Sequence, residues 1–166
     1  WPPGRSAARL AQWAQGLARE TGGRATRQET IHLTLAFLGA IDPARVADAL
    51  AAARGVRAPA HKLLIEQAAY WPHNRIVWVG PQRTPAPLAR LARDLAKALR
   101  RADFALERRP FAAHVTLLRK ARAPRALPAL PRVDWPVTEF ALVRSMLSNE
   151  GSAYEVLERF PLGARA

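Results

Sequence analysis

The segments TIHLTLAFL, residues 30 to 38, and AHVTLLR, residues 113 to 119, constrain this chain more than anything else in it. Each sets a histidine and a threonine two positions apart inside an alternating apolar run. Side chains on a strand alternate between faces, so His32 and Thr34 point one way while Leu33 and Leu35 point the other. His114 and Thr116 oppose Val115 and Leu117 in the same manner. A strand of this kind needs a core on one side and an open surface on the other. Two copies 82 residues apart imply two related lobes.

A helical pattern precedes each copy. Leu10, Trp13 and Leu17 share one face of residues 5 to 20, and Thr21-Gly22-Gly23 stops them. Thr84 precedes a second stripe, Leu88, Leu91, Leu95 and Leu99, with arginines on the other face. Between the two, Asp42-Pro43 supplies an N-cap and first-turn proline for a short alanine-rich helix ending near Gly55. HKLLIEQAAY and RIVWVG read as strands joined by the turn WPHN. After the second copy, a proline-rich connection from 124 to 136 leads into VTEFALVRSML. A turn at Asn149-Glu150-Gly151 returns the chain as AYEVLERF, a predicted hairpin. Interspersed helices and strands argue for an α+β fold.

A chain of 166 residues is long enough to bury one core without staples, and it has no cysteine to make them. Disulfides, thiol nucleophiles and cysteine-based zinc sites are excluded, and a reducing cytoplasm is the expected location. No apolar run approaches the roughly 18 residues of a membrane span. The 26 Lys and Arg, all but three of them Arg, exceed the 13 Asp and Glu and leave a net charge of +13. Guanidinium groups suit bidentate contact with phosphate, so a polyanionic partner fits this balance.

Two imidazoles serve acid-base chemistry near neutral pH, because one can accept a proton while the other donates one. A metal site is disfavoured: Glu29 is the one carboxylate near His32 in sequence, and none lies near His114. A plain RNA-binding module would explain the charge but not the paired His-x-Thr segments. Phe111 and Phe37 offer faces for a terminal base, Phe37 being expected in the core first. Trp71, His73 and Arg75 sit in or beside the WPHN turn, where they can touch RNA; His61 and His73 lack a threonine partner and are expected bystanders.

ETIHLTLAFLG and RPFAAHVTLLR, with RIVWVG between them, resemble the 2H phosphoesterase superfamily, named for two His-x-Thr-x motifs, and within it the RNA 2',3'-cyclic phosphodiesterases once called 2'-5' RNA ligases. The resemblance covers nearly the whole chain. It implies a single bilobal catalytic domain over 1–166, with two pseudo-symmetric lobes whose antiparallel sheets flank a central cleft and whose helices lie outside. It also implies a strand before the first helix, which would precede Trp1. By this resemblance His114 is the base that activates water and His32 the acid that protonates the departing 3' oxygen. Thr34 and Thr116 donate to the non-bridging oxygens, without metal or cofactor. Arg119 falls where the family often has a cationic substrate contact, yet strand parity turns it away from His114 unless the strand bends after Leu117 or Leu118. The expected partner is RNA ending in a 2',3'-cyclic phosphate, handled by a monomer that also runs the reaction backwards to a 2'-5' linkage. Alternatives are another cyclic phosphate or 2'-5' linked nucleotide, and a non-catalytic RNA-binding module.

Overall fold

The computed structural model describes residues 1–148 and 151–163. Among these residues three α-helices and eight strands form in the order α1 (Gly4–Thr21), β1 (Arg24–Ala25), α2 (Val46–Arg54), β2 (His61–Leu63), β3 (Gln67–Trp71), β4 (Ile76–Gly80), α3 (Ala86–Arg101), β5 (Val115–Arg119), β6 (Trp135–Val137), β7 (Glu139–Ser148) and β8 (Gly151–Pro161). They cluster into two compact units. One holds Trp1–Thr34, Lys62–Arg83 and Ala113–Pro136; the other holds Leu35–His61, Thr84–Ala112 and the described chain from Val137 on.

In the first unit α1 buries Leu10, Ala14 and Leu17 and lies against β1 and β5. Each such leucine contributes about 1.5–3 kcal/mol of burial free energy. The helix stops where the sequence said it would: Gly22 adopts the left-handed conformation at φ 65° and donates its N–H to Ala18. Three side chains of this helix then hold the proline-rich segment by its carbonyls. Ser6 donates to Asp134, Arg9 to Arg132 and Trp13 to Ala129, at 2.7, 2.9 and 3.1 Å.

The sheet of this unit runs in the order β1-β5-β4-β3, all neighbours antiparallel. Its core face carries Val77, Val79, Val115, Leu117 and Leu118, all fully buried. Val79 pairs with Val115 and Trp78 with Thr116, but the next pair is Val77 with Leu118, which leaves Leu117 as an extra residue in β5. Both leucines point to the core at this bulge, and the alternation restarts one residue out of phase.

The second unit packs α2 and α3 against the β7–β8 hairpin around Ala49, Ala53, Leu91, Leu95, Leu99, Phe104, Phe140 and Phe160. The stripe expected from 84 onwards is the buried face of α3. Asp42 caps the turn before α2, its carboxylate accepting from the Ala44 N–H at 2.9 Å. The hairpin follows the expected strands; residues 149 and 150 of its expected turn lie outside the described residues.

Two strand expectations need correction. HKLLIEQAAY is broken at Leu64–Glu66 because its ends serve different sheets, β2 pairing with β6 and β3 with β4. The first His-x-Thr segment, expected as a strand over 31–38, forms neither helix nor strand. Alternation gives a tendency to extend, but a ladder needs a partner for its N–H and C=O groups, and no described strand pairs with this one.

Candidate active site

Although their local structures differ, both His-x-Thr copies belong to the first unit. His32 follows a single 3-10 turn at Gln28–Thr30, and its half-buried ring bends back on the chain, with Nδ1 2.7 Å from the Thr30 carbonyl. A carbonyl only accepts, so Nδ1 carries the proton and the neutral ring presents Nε2 as an acceptor. Burial pushes this imidazole below its ordinary 6.5; the charges of Arg119 and His114 push the same way, against the bond to Thr30. His114 and Arg119 thus lie within electrostatic reach of His32. The Trp1 ring lies 5.9 Å from that of His32.

His114 immediately precedes β5, the strand paired on both sides, and aromatic rings fix its surroundings. Trp71 meets it edge-on at 4.9 Å between ring centroids, Trp78 lies at 6.3 Å, and the two indoles are 5.1 Å apart. Trp78 Nε1 is buried with no hydrogen-bond partner among the described residues, so packing holds that ring. A side chain on Gly80 would bring a Cβ 2.6 Å from the Ala113 carbonyl and 3.3 Å from Trp78. Glycine is what lets β4 come this close to the residue before His114.

Thr116 is half-buried opposite Trp78, and its carbonyl accepts from the Thr26 hydroxyl at 3.0 Å; Thr34 is exposed. Arg119 is exposed on the face of His114 and Thr116, because the extra residue at Leu117 supplies the bend that strand parity requires. Arg75 is otherwise occupied. It sits in the β3–β4 turn at φ 57°, and its guanidinium donates to the carbonyls of Lys120 and Ala121 at 3.1 and 3.3 Å, tying down the end of β5. Phe111 is half-buried. Phe37 is not in the core: it is 76% exposed, in the segment that lacks a ladder. His61 is buried with Nδ1 3.0 Å from the Pro59 carbonyl, and His73 is exposed beside Trp71.

Trp78 was not singled out from the sequence, though it could have been. In RIVWVG it takes the face opposite Val77 and Val79, and a large aromatic residue opposite a core face is a signal. No three His, Asp or Glu side chains among the described residues gather where they could hold a metal ion. Nor is any described helix long and apolar enough to cross a membrane.

The LigT-like phosphoesterase family matches this chain twice, at residues 1–78 and 79–154, once for each His-x-Thr copy. The chain belongs to that family. An Escherichia coli protein named RNA 2',3'-cyclic phosphodiesterase is 34% identical over 142 residues, covering 84% of this chain and 80% of that protein. A Geobacillus stearothermophilus protein of the same name is 35% identical over 147 residues, 81% of this chain and 46% of its own length. Among solved structures, E. coli LigT complexed with 3'-AMP superimposes with a TM-score of 0.91 at 29% identity, covering 98% of this chain and 94% of that one. These likenesses establish the α+β phosphoesterase fold for this LigT-like chain.

Proposed function

We propose that this LigT-like phosphoesterase is an RNA 2',3'-cyclic phosphodiesterase that opens the terminal ring to a 2'-phosphomonoester by two-histidine acid-base catalysis without a metal ion. One observation carries the reading: two His-x-Thr copies, remote in sequence, belong to one compact unit, with Arg119 on the face of His114 and Thr116. Relatives bearing that name support the substrate.

His114 takes a proton from water as the water oxygen bonds to phosphorus. The bond from phosphorus to the 3' oxygen breaks on the opposite side, and His32 gives that oxygen a proton. Thr34 and Thr116 donate to the non-bridging oxygens, where charge grows, and Arg119 offsets that charge. In the free site burial keeps His32 neutral, the wrong form for an acid. The bound phosphate corrects this, because its negative charge beside the ring favours the protonated form. Phe111 supplies a ring for the terminal base, while Arg75 shapes the end of β5. With a 5' hydroxyl in place of water as the nucleophile, the same steps join two ends through a 2'-5' linkage and leave the 3' hydroxyl free.

The test is to incubate an oligoribonucleotide ending in a 2',3'-cyclic phosphate with the protein in excess EDTA and identify the product end. A 2'-phosphate is expected. A 3'-phosphate would reverse the direction of ring opening, loss of turnover in EDTA would reject metal independence, and no turnover with or without divalent cations would reject the substrate.

A further inference from the structure

Arg24 on β1 and Arg119 on β5 stand directly opposite one another in the sheet. Residues so paired root their side chains about 5 Å apart on one face, and like charges there destabilise. Both are exposed, and neither guanidinium has a hydrogen-bond or carboxylate partner among the described residues. Arg75 and Arg122 of the same unit, by contrast, give donors to backbone carbonyls. Two unsatisfied guanidinium groups held side by side gain most from an anion between or across them.

The bulge at Leu117 puts Arg119, and with it Arg24, on the face that carries His114 and Thr116. Arg119 is near enough for its charge to reach His32, whereas Arg24 lies one strand farther out, on the strand that ends the sheet. The charge of the unit matches this direction: it has 13 Lys and Arg against 4 Asp and Glu, a surplus of nine, whereas the other unit has 13 against 9, a surplus of four.

We propose that Arg24 binds the internucleotide phosphate next to the reacting end, while Arg119 serves the reacting phosphate itself, so that the site reads the end of an RNA strand and not a lone nucleotide. This rests on the RNA-end reading of the site. Arg24 is then a specificity residue. It touches the substrate one phosphate away from the bond that breaks.

The experiment crosses one substrate change with one protein change. A dinucleotide with a 2',3'-cyclic phosphate end is compared with the same dinucleotide whose internucleotide linkage is a neutral methylphosphonate, using wild type, Arg24→Gln and Arg24→Lys. Wild type is expected to lose about tenfold in kcat/KM on the neutral linkage, the size of one charge-assisted hydrogen bond at an exposed site. Arg24→Gln should treat the two substrates alike, and Arg24→Lys should fall between. For the charged dinucleotide, Arg24→Gln should also flatten the dependence of log kcat/KM on log salt by about 0.7, one single-strand phosphate contact. The unfolding midpoint of Arg24→Gln should be unchanged or raised, since the substitution relieves a like-charge pair. The proposal is overturned if wild type cleaves both dinucleotides equally, or if Arg24→Gln still discriminates as wild type does. Failure of wild type to cleave either one would reject the RNA-end reading, and Arg24's role with it.

Discussion

The His32 and His114 segments carry the same short pattern and are held by opposite means. The Val115–Arg119 strand that begins after His114 is laddered on both sides, and three features shape its surroundings: Trp71 edge-on to His114, Gly80 against Ala113, and a bulge that turns Arg119. The segment of His32 has no ladder, and its ring is held by a bond to the carbonyl two residues back. A repeated pattern thus fixes which groups a chain offers. Their precision depends on neighbours that the pattern does not contain.

The largest effect should come from removing either imidazole. His32→Ala and His114→Ala are each expected to lower kcat for the cyclic-phosphate oligonucleotide by roughly 10² to 10⁴. Single-turnover rates at saturating substrate check this. Activity surviving in one variant would mean that the two copies are not equivalent partners. The threonines come next and should be unequal. Thr116→Val is expected to lose about 10², the lower end for a lost oxyanion donor, because Thr116 is half-buried beside a ladder. Thr34→Val should lose less, since Thr34 is exposed and water can replace its hydroxyl. Equal losses would show that the missing ladder does not weaken the first copy.

Gly80→Ala probes the support of the second copy without touching a reacting group. With a Cβ 2.6 Å from the Ala113 carbonyl, backbone must move, and His114 is the next residue. A destabilisation of about 1–3 kcal/mol is expected from the overpacking, with kcat falling further than KM changes. Thermal unfolding and steady-state kinetics on the same variant check both. A variant with wild-type stability and activity would mean that β4 can slide away at no cost to His114.

The fold class, the α1 and α3 stripes, the Gly22 stop and the hairpin strands were legible because each follows from local periodicity or turn chemistry. The histidine pair was legible because its apolar flanks repeat. What the sequence hid was non-local. The two-residue strand of Arg24 exists only because β5 accepts it, and the extra residue at Leu117 is visible only against Val77 and Trp78. Phe37 was misplaced for the same reason: its alternating neighbours predict a buried strand, and no partner strand covers it.

The smallest expected effect is a pH dependence specific to the His32 copy. Because kcat/KM reports the free enzyme, a proton donor whose value is lowered by burial must give an alkaline limb below pH 6.5. In kcat that limb should move up, since bound phosphate favours the protonated ring, and the gap between the two limbs measures how much the substrate does to prepare its own acid. If the limb tied to His32 instead rises with pH in that range, His32 is the base and the two copies exchange roles. Stability follows the same linkage: with the folded value below the unfolded 6.5, the unfolded chain binds more protons between the two. The contribution of His32 is therefore complete above pH 6.5 and is lost as pH falls through the folded value. His32→Asn should flatten that part of the profile of unfolding free energy against pH. If the slope below 6.5 is the same in variant and wild type, the buried ring is not what sets it, and the contrast between the two copies is one of backbone support alone.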